Sequence, residues 1–495
     1  MDLFTKEHSQ SLPTVRIQKA VLDNFKSVEH GELLFDCGRH FIPYGTTSDI
    51  LGIYGQNGSG KTTFIEVLYI LKMLMMGRGV PPIYAECISQ NADHARMEFT
   101  FDLQYPDGCI RKAVYSCSLK AVQNEEGRTY PGQVDMDSFD VYESGFRLKV
   151  YDECLSLGGD IEGKKIRLSP VIDTAGGHPF TPAAKVKELA GTDQDRIVEL
   201  EVGKRLASER SASFIFSPET LSIFKESGLY SPYFQVLLEL RHFASFFFYV
   251  MDTKSTGFIR LNMGFPLYTR AGILYLMVNK PSTVSQAVYR ELQGIFSDID
   301  TVMQQLVPGL CVKIRSISPA LMDNGARGEI IEIVTERGGL ELPIRDESDG
   351  IRKVISVLNL IIAAYNEKSV TIAIDEFDAG IFEYLLGEIL QIFEDSGKGQ
   401  FIFTSHNLRP LEVINKNFLY FTTVNPQNRY IRLKNIGKTN NLRSTYYREI
   451  ILGEQDETIY EQTQKYKIVD ALNRVAKDAR ERMNKRMEAE NGKKE

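Results

Sequence analysis

The sequence predicts an α/β fold in which a β-rich lobe and a parallel sheet are interrupted by a largely helical insertion. First, a glycine-rich turn at 55–63 follows an apolar strand and opens an apolar helix. Second, a β-branched strand at 370–374 ends in two carboxylates, Asp375 and Glu376. Third, apolar strands alternate with helical stretches after residue 330, which is typical of a parallel sheet covered on both faces.

Composition and charge narrow the class of protein. The chain has 495 residues, enough for two or three domains, and its longest apolar runs, 243–251 and 271–278, are too short to span a bilayer. The first residues lack a signal pattern, so we expect a cytoplasmic protein without membrane contact. The net charge of −7 excludes a generally basic surface that holds DNA unaided, which leaves nucleic-acid binding open but unsupported.

Cysteine and histidine positions give no sign of a metal cage or a disulfide framework. The six cysteines contain no Cys-x-x-Cys pair, and the seven histidines are scattered. We therefore expect reduced thiols and no zinc site.

The N-terminal part of the chain carries the phosphate-loop pattern in its required context. Strands are predicted within 14–35, near residue 50, and as a hairpin over 94–119 with a turn at 105–108. The residues expected to bind nucleotide are Gly55, Asn57, Gly58, Ser59, Gly60, Lys61, Thr62 and Thr63. Backbone N–H groups would close around a triphosphate, Lys61 would reach the β/γ-phosphates, and Thr62 would hold Mg²⁺. The plainer alternative is a glycine-rich turn that merely enters a helix.

The middle of the chain changes character. Helical periodicity is found at 220–226, 232–243 and 283–306, without sustained heptads, so no long coiled-coil arm is expected. The sequence does not indicate what this section does.

Three features after residue 340 carry further chemistry. Asp375 would bind Mg²⁺ through water, and Glu376 would accept a proton from the attacking water. His406 follows the next apolar strand, so it should emerge at the same sheet edge, where a plain surface histidine is the alternative. Ser348 and Gly350 open a helix; they either cap it or face the γ-phosphate of a nucleotide bound to a second subunit.

The order of these motifs resembles a known family. The matching stretches are 24–28 (Asn-Phe-Lys-Ser-Val), 55–62, 348–350, 375–376 and 404–407 (Thr-Ser-His-Asn). They resemble the ABC-type P-loop ATPase heads of RecF, SMC and overcoming-lysogenization-defect proteins, which combine a β-rich lobe with a RecA-like parallel sheet. The stand-alone ATPases of phage-defence operons, such as AriA of PARIS and PtuA of Septu, look most similar. The resemblance covers residues 14 to about 155 and 330 to 425.

The resemblance implies a division of the chain and a set of roles. Residues 1–160 and 330–455 would form the two parts of the head, 161–329 a mostly helical insertion, and 456–495 a charged C-terminal helix or tail. ATP and Mg²⁺ would bind between two subunits of a homodimer or higher homo-oligomer, with Asp375 and Glu376 in hydrolysis and His406 as the switch histidine. Gln90 is a candidate metal contact. Asp349 departs from the transporter-type signature, which has glycine there, so it should either point away or be offset by Arg352 and Lys353.

Three functions remain open at this stage. The principal one is an ATPase that acts as sensor and scaffold in bacterial anti-phage defence and controls a separate effector protein, a nuclease. A separate chain is expected because the isolated carboxylate pairs Asp135/Asp137 and Asp298/Asp300 do not form a nuclease constellation. The alternatives are a RecF-like DNA-binding ATPase of genome maintenance and a non-catalytic, nucleotide-gated module in which Asp349 blocks a competent site.

Overall fold

The computed structural model describes most of the chain. The described residues are 12–35, 49–123, 145–161, 163–176, 179–229, 231–256, 264–269, 272–322, 325–434, 441–453 and 455–491. The carboxylate pair Asp135/Asp137 lies outside them. Asp298 and Asp300 lie on a helix face, and Asp300 accepts a hydrogen bond from the backbone N–H of Val312 at 2.7 Å.

The predicted β-rich lobe is a six-stranded antiparallel sheet in the order β2-β1-β4-β5-β6-β7. Its strands are β1 Thr14–Phe25, β2 Val28–Leu34, β4 Ala95–Gln104, β5 Ile110–Gln123, β6 Phe146–Ile161 and β7 Lys164–Asp173. In β4 every second residue is buried, because alternate side chains of a strand point to opposite faces. The predicted hairpin over 94–119 is confirmed as β4 and β5.

The parallel sheet has the order β18-β17-β3-β16-β15-β8. Its strands are β3 Asp49–Tyr54, β8 Phe248–Met251, β15 Thr371–Ile374, β16 Gln400–Thr404, β17 Leu419–Thr422 and β18 Tyr430–Ile431. All neighbouring pairs are parallel except β17 and β18. β15, β16 and β17 are buried along their whole length, as expected of central strands covered on both faces.

Helices cover both sheets. They are α1 Lys61–Met75, α2 Ala183–Ala190, α3 Gln194–Glu209, α4 Pro218–Gly228, α5 Pro232–Phe246, α6 Thr253–Thr256, α7 Gln286–Leu306, α8 Asp349–Asn366, α9 Glu383–Ser396, α10 Pro410–Val413, α11 Leu442–Leu452 and α12 Lys465–Asn491. Twelve of the fifteen residues of α1 are buried, and the eight apolar ones among them share one hydrophobic core with both the antiparallel and the parallel sheet. The helix that follows the phosphate loop therefore joins the two layers.

The segment 161–329 holds the helices α2 to α7, but it also holds strands that the sequence analysis did not predict and part of a sheet that continues beyond residue 329. β9 Gly264–Thr269 and β10 Gly272–Met277 form a hairpin, and β11 Ser282–Ser285, β12 Leu310–Leu321, β13 Arg327–Arg337 and β14 Leu340–Pro343 form a four-stranded antiparallel sheet. β8 belongs to the parallel sheet, and the predicted limits 160/161 and 329/330 fall within β6 and β13. The alternation of strands and helices that the sequence predicts after residue 330 thus begins with β13, which lies in an antiparallel and not in a parallel sheet. The division into domains stays a prediction.

The described part of the chain contains no helix that is both long enough and apolar enough to cross a membrane.

Candidate nucleotide site

Four neighbouring strands deliver polar residues to one edge of the parallel sheet. β3 leads into the phosphate loop, β15 into Asp375 and Glu376, and β16 into Ser405 and His406. Because these strands are parallel, their carboxyl ends share an edge, which is where open α/β sheets bind ligands. The fourth strand, β8, adds Asp252, which the sequence analysis did not single out.

The glycines of the phosphate loop are required by its backbone. Gly58 and Gly60 have φ of 76° and 96°, in the left-handed region that favours glycine. A Cβ atom on Gly55 would lie 1.7 Å from the Thr422 hydroxyl oxygen. Asn57 is exposed at the tip of the loop, and Thr63 is buried on α1. The loop thus leaves its tip, Asn57 and Gly58, exposed to solvent, while Thr62 at the start of α1 is half-buried.

Side chains from distant parts of the chain hold this loop in place. The Ser27 hydroxyl donates to the Gly58 carbonyl at 3.0 Å, and the Tyr430 hydroxyl donates to the Gly60 carbonyl at 2.7 Å. Thr422 and Ser59 pair through their hydroxyls at 2.6 Å. A loop fixed by so many partners has little conformational freedom left to lose when it binds a ligand.

Lys61 rests on the loop itself. Its Nζ donates to the carbonyl oxygens of Gly55 at 2.8 Å and Gln56 at 3.0 Å. Burial lowers the pKa of Lys61 to about 8, although nearby carboxylates, Asp375 first, act in the opposite direction. A bound triphosphate would give the Lys61 ammonium group a negatively charged partner in place of these two carbonyl oxygens.

The side chains of Thr62 and Asp375 lie close together and offer oxygen atoms suited to binding a metal ion. The Thr62 hydroxyl donates to Asp375 Oδ1 at 3.4 Å, and the Thr404 hydroxyl donates to the same oxygen at 2.6 Å. Asp375 Oδ2 is buried and has no hydrogen-bond partner within the described residues. Burial raises the pKa of Asp375 to about 6, against hydrogen bonds from Thr404 and Thr62 that lower it. A buried carboxylate oxygen of this kind calls for a cation.

These residues fit a magnesium ion that arrives with a nucleotide. Within the described ranges, no three His, Cys, Asp or Glu side chains form a cluster able to hold a metal alone. Mg²⁺ is commonly held by one or two protein oxygens together with phosphate oxygens and water. The Thr62 hydroxyl and the unpartnered oxygen of Asp375 supply that minimal protein share.

Glu376 has an unusual backbone. Its φ is 46°, which is uncommon for any residue other than glycine, and its N–H donates to the Thr404 hydroxyl at 2.8 Å. The side chain is exposed, whereas Asp375 beside it is 3% exposed. The left-handed turn therefore separates the two carboxylates into a buried one and one open to solvent, and strained backbone of this sort concentrates at functional sites.

His406 reaches the same edge, as predicted from the order of strands. Its N–H and that of Asn407 donate to the carboxylate of Asp378, with Asn407 at 3.0 Å. Partial desolvation and then the charge of Lys61 lower the pKa of the His406 imidazole, against Asp378 and Glu376. His406 is therefore positioned within the electrostatic reach of Lys61, with Asp378 holding its turn.

Two buried charged residues lie near the carboxylates; the sequence analysis named Lys353 only as an offset for Asp349 and did not name Asp252. Lys353 on α8 is 7% exposed; burial lowers its pKa, and Asp375, Glu376 and Asp378 act in the opposite direction. Asp252 is 1% exposed, accepts a hydrogen bond from the Tyr84 hydroxyl at 2.5 Å, and contributes to the raised pKa of Asp375. The signal for Asp252 was present, because an apolar strand ending in Asp repeats the pattern before Asp375.

Residues 348–350 lie at the start of α8. The Ser348 hydroxyl accepts from the N–H of Ile351 at 3.3 Å, so within one chain it caps the helix. Arg352 donates to the carboxylate of Asp349, which offsets its charge; Lys353 faces the carboxylates instead. A Cβ atom on Gly350 would lie 2.1 Å from the Gly380 carbonyl oxygen. The structure does not join Ser348 to the phosphate loop by any hydrogen bond between described residues.

Gln90 is exposed, beyond the short 3₁₀ helix Pro82–Cys87. In the described ranges, no hydrogen bond links it to Thr62 or Asp375. Its assignment as a metal contact stays a prediction.

A contact that spans most of the chain ties the C-terminal segment to the loop. The N–H of Glu461 donates to Gln56 Oε1 at 3.1 Å, and Gln56 Nε2 donates to the Glu461 carbonyl at 3.5 Å. Ile459 is buried in the core of the parallel sheet, and α12 begins four residues after Glu461. The exposed C-terminal helix is therefore rooted beside the phosphate loop.

Comparison with known proteins adds distant structural likenesses. Neither a family model nor a curated protein sequence matches the chain. An SMC head bound to the C-terminal winged-helix domain of ScpA is 13% identical, with 84% of this chain and 97% of that chain covered and a TM-score of 0.42. An Smc head with an extended coiled coil from Pyrococcus furiosus (13% identity, 89% and 99% covered) has a TM-score of 0.40, and the SMC head domain from Thermotoga maritima (13%, 85% and 100%) has 0.34. TM-scores this low do not define a shared fold, so the assignment rests on this chain's own residues.

Proposed function

We propose that the chain is an ABC-type ATPase that binds ATP with Mg²⁺ at the phosphate loop and hydrolyses it between two copies of the chain. The observation that carries the proposal is the arrangement of Thr62 and Asp375, 3.4 Å apart, with a buried, unpartnered carboxylate oxygen beside a phosphate loop. Neither a plain glycine-rich turn nor a structural carboxylate explains that unpaired oxygen, since buried polar atoms are normally satisfied.

The residues of this edge divide the work of phosphoryl transfer. Loop N–H groups and the N-terminus of α1 bind the phosphates, and Lys61 leaves the Gly55 and Gln56 carbonyls to pair with the β/γ-phosphates. Mg²⁺ held by Thr62 and Asp375 would neutralise charge that develops on the phosphate oxygens. The exposed carboxylate of Glu376 accepts the proton of the attacking water, and His406 orients that water or the γ-phosphate.

A second copy completes the proposed site. Ser348 and Asp349 are exposed at the start of an eighteen-residue helix, whose N-terminal N–H groups favour an anion. Since Ser348 caps α8 and makes no hydrogen bond to the described loop residues of its own chain, we assign it to the γ-phosphate held by the other copy. The assembly is then a homodimer, or a higher homo-oligomer built from such pairs.

Nucleotide binding is tested by calorimetric titration of the chain with ATP and Mg²⁺. Lys61→Ala should weaken binding by about ten- to a hundredfold, because it removes charge-assisted hydrogen bonds to phosphate. Lys477→Ala, a lysine on the exposed face of α12, is the matched control and should bind as the wild-type chain does. Equal affinities of the wild-type and Lys61→Ala chains would contradict the proposal.

The biological setting is a further part of the proposal. The resemblance of the motif order to stand-alone phage-defence ATPases supports a sensor and scaffold that controls a separate effector, a nuclease. Affinity purification of Glu376→Gln protein from its native operon should retain that effector, since the trapped assembly would not be released by hydrolysis. Absence of a co-purifying nuclease would count against this setting without affecting the ATPase assignment.

A further inference from the structure

The C-terminal helix α12 carries an uncovered apolar stripe. Ile468, Leu472, Val475 and Met483 are 49%, 66%, 61% and 63% exposed. Their spacing, with Ala479 between the last two, places them on one face of the helix. A contiguous apolar face of this kind on a surface is typical of an interaction site.

A second uncovered stripe lies on α3. Val198, Val202 and Leu206 follow one another at intervals of four residues and are 49%, 52% and 38% exposed. The other side of α3 is occupied, because Leu200 and Ala207 are buried in the core. The chain therefore presents two exposed apolar stripes, one on α12 and one on α3.

The charges beside the two stripes are opposite. Residues 465–491 of α12 contain eight basic and five acidic residues, in a chain whose net charge is −7. Helical spacing puts Arg482 and Arg480 on opposite sides of the α12 stripe, with one carboxylate, Asp478, on the same side as Arg482. Along the α3 stripe, the same spacing places the exposed carboxylates of Asp195 and Glu199, with one basic residue, Arg205, on the other border.

This charge pattern indicates which surface covers the α12 stripe. Two α12 helices pressed together would bring like charge against like charge, whereas α12 against α3 combines apolar contact with attraction. In one chain both stripes are exposed, so a chain's own α12 does not cover its own α3. We propose that α12 of one copy docks along α3 of a second copy. Its 27 residues give a length of about 40 Å, enough to cover the sixteen residues of α3.

The contact joins different surfaces of the two copies. Such head-to-tail contacts produce rings if the rotation closes and open filaments if it does not. The contact needs no nucleotide, so it is separate from the proposed ATP-dependent pairing.

Charge reversal on the full chain tests the contact. One variant carries Arg480→Glu and Arg482→Glu, the other Asp195→Lys and Glu199→Lys, and self-association is measured by sedimentation equilibrium without nucleotide at low salt. Each variant alone should associate about tenfold more weakly than the wild-type chain, because like charges then face each other. An equimolar mixture should recover association, since each α12 then finds an α3 of opposite charge.

The control variant is Arg474→Glu with Lys477→Glu, which makes the same change of charge on the face of α12 away from the stripe. It should associate as the wild-type chain does. The proposal is overturned if the wild-type chain stays monomeric, if only the α12 reversal weakens association, or if the mixture does not recover. Circular dichroism of each variant confirms that these exposed substitutions leave the fold intact.

Discussion

The phosphate-loop edge and the start of α8 both hold polar residues suited to binding phosphate, but the two regions differ in burial and in hydrogen bonding. At the loop, Lys61 and Asp375 are buried, held by several partners and shifted in pKa. At the start of α8, Ser348 and Asp349 are exposed and bonded only within their own helix turn. The proposed phosphate and metal ligands are thus held in place within one chain, whereas Ser348 and Asp349 are open to solvent, as the proposed pairing with a second copy requires.

The largest effect is expected from Glu376→Gln, which changes a residue at the phosphate-loop edge. ATP turnover should fall by about a hundred- to ten-thousandfold, because the proposed general base is lost. ATP binding should persist, since Lys61, Thr62 and Asp375 are untouched. Single-turnover hydrolysis and calorimetry measure the two properties. Glu383→Gln, at the start of α9, is the control for a nearby carboxylate, and turnover unchanged in Glu376→Gln would remove this residue from the mechanism.

Ser348→Ala tests the proposed role of the start of α8. The loss of a hydrogen bond to phosphate should weaken ATP-dependent dimerisation by about ten- to a hundredfold and leave ATP binding to the single chain intact. The substitution also removes a helix cap. Ser285→Ala removes the equivalent cap of α7, where Ser285 accepts from the N–H of Val288 at 3.4 Å. If both variants lose the same activity, capping alone accounts for Ser348.

Gly350→Ala tests how closely the start of α8 packs against the loop that follows Glu376. The added methyl group would press on the Gly380 carbonyl, four residues after Glu376, and should lower the free energy of unfolding by about 1–3 kcal/mol. Gly294→Ala is the matched control in the interior of α7, where a Cβ atom meets nothing within 4 Å, so it should stabilise by about 0.5–1 kcal/mol. Urea unfolding compares them, and equal stability of the two variants would disprove the close approach at Gly350.

The smallest effect concerns pH. The pKa of Asp375 is raised to about 6, so the carboxylate is protonated below that pH and is lost as a metal ligand. Mg²⁺-dependent ATP affinity should be constant between about pH 7 and pH 8 and fall by about tenfold per unit below about pH 6, whereas above about pH 8 it should fall because Lys61 loses its proton. Asp375→Asn should bind Mg²⁺ weakly and lack the fall at acidic pH. The same slope in the Asn variant would assign the titration to another group.

Sequence alone predicted what local pattern determines. The phosphate loop, the Asp375 strand end and the arrival of His406 at the same edge follow from strand context and parallel order, and the observed topology agrees. Long-range contacts could not be predicted. Gln56 and Glu461 are 405 positions apart, and nothing near either residue signals the other. β8 was missed because its four residues continue an apolar helical run, so period could not separate strand from helix.

Complementation between two inactive chains tests the composite site most directly. Lys61→Ala lacks a working phosphate loop, and Ser348→Ala lacks a working signature end. In a mixture, half of the dimers would contain both chains, and each such dimer would hold one intact site, so activity should recover to about a quarter of the wild-type level. A mixture as inactive as its two components would contradict a site shared between two copies.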